Sequence, residues 1–132
     1  MAKNNSLLNT PPVIAIHLCN LVLKDLLQKY NGLKEIDEFS RHKSGIIYAA
    51  VDFSEKFYCP VAGEFRSRMN VIFKAVADEG IEKEFLRKAE GELGMIQLKG
   101  HRSVGGLRAS LYNAVTLENT LKLAECIKAI EM

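Results

Sequence analysis

Residues 100–110, GHRSVGGLRAS, bring His101, Arg102 and Arg108 together with glycines at 100, 105 and 106. Glycine tolerates positive φ and lets backbone amides come close to a ligand. Arginine offers a planar fork of N–H donors that fits a carboxylate or phosphate with two parallel bonds. His101, beside Arg102, adds a donor that can carry charge. The chemistry such a set performs is anion binding. A loop laced by structural salt bridges uses the same residue types, and composition alone leaves both readings open.

The remaining candidates point to structure. Arg66 and Arg68 lie in a segment that reads as a strand, where arginine serves as surface charge. His17 falls on an apolar helical stretch and reads as a core or interface histidine, while His42 lies in the charged run Arg41-His42-Lys43 and reads as solvated surface. With no CxxC pair and three scattered histidines, no zinc ligand set is spelled out. Cys19, Cys59 and Cys126 are odd in number and far apart, which argues against a disulfide framework and for a reducing compartment. Cys19 and Cys126 read as small hydrophobes on apolar helix faces.

The arginine loop needs elements on either side to hold it. Asn9-Thr10-Pro11-Pro12 reads as a helix start, a capping side chain followed by proline in the first turn. Ile14, Leu18, Leu21, Val22 and Leu26 recur at helical spacing, and Asn31-Gly32 supplies a stop. A second helix is predicted over 33–51, with Leu33, Ile36, Ile47 and Ala50 inward. The period then changes to two. Strands are predicted at 57–59 and at 67–73, where Met69, Val71 and Phe73 alternate with polar residues. Asp78 can cap a third helix with Ile81, Phe85 and Ala89 on one stripe, ending near Gly91 or Gly94. Strands at 95–98 and 107–112 flank the arginine loop. A last helix begins near Thr116, with Leu117, Leu121, Ala124 and Ile127 inward. The order ααββαββα predicts an α+β fold, a mainly antiparallel sheet covered by helices. If Leu107 and Ala109 face the core, Arg108 faces the other side of the sheet; pointing inward, it would need an anionic partner.

The chain has 132 residues, 48% hydrophobic and 26% charged, and fits one globular domain. A formal charge of +2 is too small to indicate nucleic acid as the main partner. The apolar stretch 13–23 is broken by His17 and Asn20 and is too short to span a bilayer, and the N-terminus lacks a secretory signal pattern. These features read as a cytoplasmic protein without nucleic-acid or membrane partners.

The block GHRSVGGLRASLYNAV, with NTPP at 9–12 and RSRMNV at 66–71, resembles phosphoserine aminotransferase, and the resemblance runs from about residue 5 to residue 130. That family consists of homodimeric pyridoxal 5'-phosphate enzymes of the aspartate-aminotransferase fold, fold type I, which exchange an amino group between phosphoserine and 2-oxoglutarate in serine biosynthesis. The resemblance implies that His101 and Arg102 hold the substrate's phosphate or the side-chain carboxylate of glutamate, and that Arg108 grips the α-carboxylate. It implies that Asn9 and Thr10 bond the cofactor phosphate, across the dimer in the partner's site. The family's large domain, with the cofactor lysine and the carboxylate that pairs with the pyridine nitrogen, lies upstream of the NTPP element. The resemblance therefore implies the small C-terminal domain alone: an irregular lead-in at 1–10, the small domain at 11–132, no catalytic residue and an incomplete cofactor site. Leu8 departs from the aromatic that the family commonly has before NTPP. The expected function is to supply substrate and cofactor contacts for an aminotransferase without catalysing alone. The rivals are a non-catalytic module that docks on a full-length subunit and a free-standing phosphate-binding domain.

Overall fold

A computed structural model describes residues 9–130; Leu8 and the rest of the lead-in at 1–8 lie outside the described residues. The described residues fall into two compact units, one ending at Ile36 and one beginning at Asp37. The elements in chain order are α1 (Val13–Lys29), α2 (Leu33–Asp52), β1 (Phe57–Tyr58), β2 (Asn70–Ala75), α3 (Glu79–Leu93), β3 (Leu107–Ser110) and α4 (Leu117–Ala129). None of the described helices is long and apolar enough to cross a membrane.

In the first unit, α1 forms where the apolar spacing predicts it, but its N-cap is Pro12 and no side chain caps it. The capping expected of Asn9 or Thr10 is therefore not made, and both side chains are exposed. No residue of α1 is buried; Ile14 is 78% exposed and Leu27 71%. His17, read as a core or interface histidine, and Cys19, read as a small hydrophobe on an apolar face, are exposed as well. A helix this apolar left in water marks an interface surface. The chain is accordingly expected to self-associate at micromolar concentration in sedimentation velocity. A single monomeric species across the concentration series would refute that.

The second unit is built on a three-stranded antiparallel sheet in the order β1-β2-β3, with Phe73 opposite Leu107 and Val71 opposite Ala109. These four are buried, as is Phe57 on β1. Phe57, Phe73 and Phe85 meet edge to face, with ring centroids 5.6–5.7 Å apart, which joins β1, β2 and α3 in one core. Ile47, Ala50 and Val51 of α2 and Leu123, Ala124 and Ile127 of α4 complete it. Helix ends follow local signals. Asp78 accepts from the Gly80 amide at the start of α3, Gly94 ends that helix in the left-handed region, and Thr116 accepts from Asn119 N at 3.2 Å to start α4.

The sheet departs from expectation in one strand. Residues 95–98 were predicted to pair along their length, giving ααββαββα; the observed order is ααββαβα, with only a bridge between Lys99 and Leu107. Gln97 sits at φ 62°, and a left-handed residue three positions after the Gly94 cap turns the segment out of extended geometry. Strand β2 starts at Asn70 and not at Ser67, because Ser67 Oγ accepts the amides of Met69 and Asn70, both at 3.1 Å, and bends the chain there. Two inward assignments also fail: Leu33 is exposed at the first turn of α2, and Leu121 is exposed while Leu123 takes the core position.

Candidate functional site

Strand β3 carries the arginine whose direction the sequence leaves open. Leu107 and Ala109 are buried and Arg108 and Ser110 half-buried, so Arg108 lies on the face opposite the aromatic core, across from Ile72. Its backbone amide donates to Leu98 O at 2.7 Å, which ties β3 to the segment before the loop. Its side-chain Nε is buried and has no hydrogen-bond partner among the described residues. A buried donor left unmade costs about 1–3 kcal/mol. Arg108 also lines a cavity of about 380 Å³ with Gln97, Leu98, Ser110, Leu111 and Thr120. An arginine on the wall of such a cavity suits a small carboxylic acid.

The loop before β3 is folded on itself. His101 O accepts the amides of Val104 at 2.9 Å and Gly105 at 2.8 Å, and Gly100 N donates to Gly106 O at 2.8 Å. Lys74 Nζ reaches from β2 to Val104 O at 2.8 Å and fastens the loop to the sheet. Two glycines are required by this packing. A Cβ at Gly100 would strike the carbonyl oxygens of Gly105 and Gly106. One at Gly106, whose φ is 72°, would lie 2.9 Å from Phe73 O. The glycines therefore let the loop close against β2 while exposing His101 and Arg102. Arg102 has no hydrogen bond or ion pair among the described residues, so its fork is uncommitted. His101 Nδ1 lies 2.7 Å from Ser103 Oγ and accepts from Ser103 N at 3.3 Å.

Two features support this hairpin from outside the motif. Asn70 Oδ1 accepts from Ser110 Oγ at 3.1 Å, and Tyr112 Oη lies 3.4 Å from both Asn70 side-chain polar atoms, which links β2 to the chain just past Arg108. Beneath, Lys43 of α2 is 1% exposed and donates to the carbonyls of Leu111 at 3.2 Å, Tyr112 at 2.9 Å and Val115 at 2.9 Å. These bonds hold the chain just past β3, which ends at Ser110 and not at 112. Lys43 was expected on the solvated surface with His42; His42 is exposed and Lys43 is interior. The missed signal was the period: Lys43 stands four residues before Ile47 and seven before Ala50, on the buried stripe of α2.

Arg66 and Arg68 are committed elsewhere. Arg66 grips Asp52 with both terminal nitrogens, at 2.5 and 2.7 Å, and stacks on the Tyr48 ring at 4.7 Å. Arg68 pairs with Asp37. The Arg66 hydrogen bonds hold the Asp52 carboxyl below its ordinary 3.8. A depressed carboxyl contributes stability above its unfolded pKa and loses it as the pH falls through the folded value. Asp52→Asn is therefore expected to lower the melting temperature at neutral pH, with the gap to the parent chain closing below about 3.8. A gap that stayed constant through that acid range would assign the loss to something other than the ion pair.

Fold and loop together define a small α+β unit whose edge hairpin presents uncommitted arginines. No protein-family model matches the chain. A phosphoserine aminotransferase of Drosophila melanogaster is 53% identical over 133 residues, covering 98% of this chain and 36% of the relative. Among solved structures, phosphoserine aminotransferase from Bacillus circulans subsp. alkalophilus superposes with a TM-score of 0.87 at 44% identity, over 98% of this chain and 36% of that one. The PLP-bound phosphoserine aminotransferase from Trichomonas vaginalis gives 0.86 at 35% identity, over 96% and 36%. In sequence and in fold, the chain is related over nearly its whole length to phosphoserine aminotransferases. It spans about a third of the length of the relatives it matches.

Proposed function

We propose that the chain is the C-terminal part of a phosphoserine aminotransferase, a cytoplasmic homodimer of serine biosynthesis that converts phosphoserine and 2-oxoglutarate to 3-phosphohydroxypyruvate and glutamate. Within that reaction its own task is to hold the anionic ends of the substrates. The observation that carries this reading is Arg108 itself, a side chain with an unpartnered Nε that lines a cavity sized for a small acid. Arg108 holds the α-carboxylate common to all four reactants. His101 and Arg102 take the distal anion, a phosphate in one substrate pair and a carboxylate in the other. Two fixed anion contacts set the position and direction of the intervening carbon chain, and orientation of that kind is a large part of a catalysed rate.

The reading requires pyridoxal phosphate. The residues present fit one end of it: Asn9 and Thr10 are exposed and without partners among the described residues, and α1 starts without a side-chain cap. Those side chains and the helix N-terminus are donors that a phosphate can take. When bound, the cofactor supplies the electron sink of transamination.

A titration of the chain with glutamate and with phosphoserine, followed by amide NMR, tests the assignment. Arg108→Gln is expected to weaken both by about 10–100-fold, the loss of a charge-assisted pair of bonds. Arg102→Gln is expected to weaken phosphoserine more than glutamate, since the phosphate carries more charge. Undiminished binding by Arg108→Gln would remove the α-carboxylate role.

A further inference from the structure

Resting on that reading, we propose that Ser103 is a positioning residue that fixes the tautomer of His101, so that the imidazole presents Nε2–H to the substrate anion. The inference comes from two donors meeting at one nitrogen. Ser103 N donates to His101 Nδ1 at 3.3 Å, and an amide nitrogen can only donate. Ser103 Oγ lies 2.7 Å from the same atom and can donate its hydroxyl proton there. A proton on Nδ1 would face the amide hydrogen directly. In the neutral ring Nδ1 is therefore the acceptor and the proton sits on Nε2.

The loop ties this arrangement at a second point. His101 O is already held by the amides of Val104 and Gly105, so both ends of the residue are tied within one turn. The Ser103 amide is consumed by the imidazole and is not a direct anion donor. The turn thus turns a backbone donor inward and returns it as a side-chain donor on the outer edge of the ring. Nothing else among the described residues bonds the His101 ring, so Nε2–H is uncommitted. Beside the Arg102 fork, it gives the distal site one directional contact that a phosphate oxygen and a carboxylate oxygen can both accept. A site that must take each in turn needs a donor of that kind.

The test reads the ring nitrogens of His101 by 15N NMR in the 132-residue chain, at a pH where the ring is neutral. Two bonds to Nδ1 should favour the Nε2–H form by at least roughly tenfold. Ser103→Ala, which keeps the amide and removes the hydroxyl, should cut that preference to about threefold, and Ser103→Thr should restore it. A dominant Nδ1–H form in the parent chain, or a tautomer ratio unmoved by Ser103→Ala, overturns the proposal. Adding inorganic phosphate separates the two layers. A shift of the His101 Nε2 signal, weaker in Ser103→Ala, supports both. A correct tautomer that ignores phosphate leaves Ser103 as the positioning group and sinks the anion-binding role of His101.

Discussion

Replacing Lys43 by methionine is expected to destabilise the chain by at least about 1–3 kcal/mol, the cost of leaving a buried carbonyl without its donor. Methionine keeps the apolar stem and its volume, so the loss isolates the ammonium. That group serves the carbonyls of Leu111, Tyr112 and Val115 and lies 5.1 Å from the Phe39 ring centre. Without it, the buried Leu111 bond and the partly buried bonds to Tyr112 and Val115 are lost, at about 1–3 kcal/mol for each carbonyl left unsatisfied. A domain of this size holds about 5–15 kcal/mol in all. The variant should therefore melt far below the parent in urea, and Lys43→Arg, which keeps charge and donors but not their geometry, should fall between them. A Lys43→Met loss under about 1 kcal/mol would place Lys43 among the surface charges, where the sequence reading had put it.

Lys43 also shows where sequence reasoning stops. The ends of α3 and the start of α4 were legible because their causes are local: Asp78, Gly94 and Thr116 each cap a helix through contacts a few residues away, whereas the cap expected of Asn9 or Thr10 on α1 is not made. Lys43 works across 68 residues to Leu111, and only the fold brings the two together. Its helical period places it on the inward stripe, whereas the charged run Arg41-His42-Lys43 reads as solvated surface. The missing strand at 95–98 failed for a different reason. Met-Ile-Gln-Leu is a good strand sequence, and nothing in Gln97 announces a φ of 62°. Leu121 and Leu123 differ by two positions on one helix, and which of them packs depends on the sheet beneath. Of the candidate site, His101, Arg102 and Arg108 could be named from the motif. Their commitments could not be: Arg102 free, Arg108 Nε buried and unpaired, His101 held by Ser103. The loop also closes against β2 through Lys74, a contact beside glycines whose spacing was visible and whose partner was not.

Assayed by themselves, these 132 residues are expected to give no measurable transamination of phosphoserine, and added pyridoxal phosphate is expected to attach to lysines weakly and without preference. The lysine of such an enzyme must present an unprotonated amine with a free lone pair, in a pocket that lowers its pKa. Burial does drive the Lys43 ammonium below its ordinary 10.5, the direction a nucleophile needs. Yet Lys43 is enclosed and points its donors at three carbonyls, which stabilise the protonated form and leave no approach for an aldehyde. Lys29 is shifted the other way by its hydrogen bond to Asp25, and Lys122 is paired with Glu118 at 2.7 Å. Lys56 and Lys74 are bound to the carbonyls of Ile130 and Val104. None of these combines a free amine with a neighbouring anion site. Borohydride reduction in the presence of pyridoxal phosphate, followed by peptide mapping, reads the outcome directly. Low labelling spread over exposed lysines, with Lys43 protected until the chain unfolds, is the expected pattern. One lysine labelled in high yield, together with keto-acid formation, would mean that the chain carries a complete catalytic site and that its role is not confined to holding substrate anions.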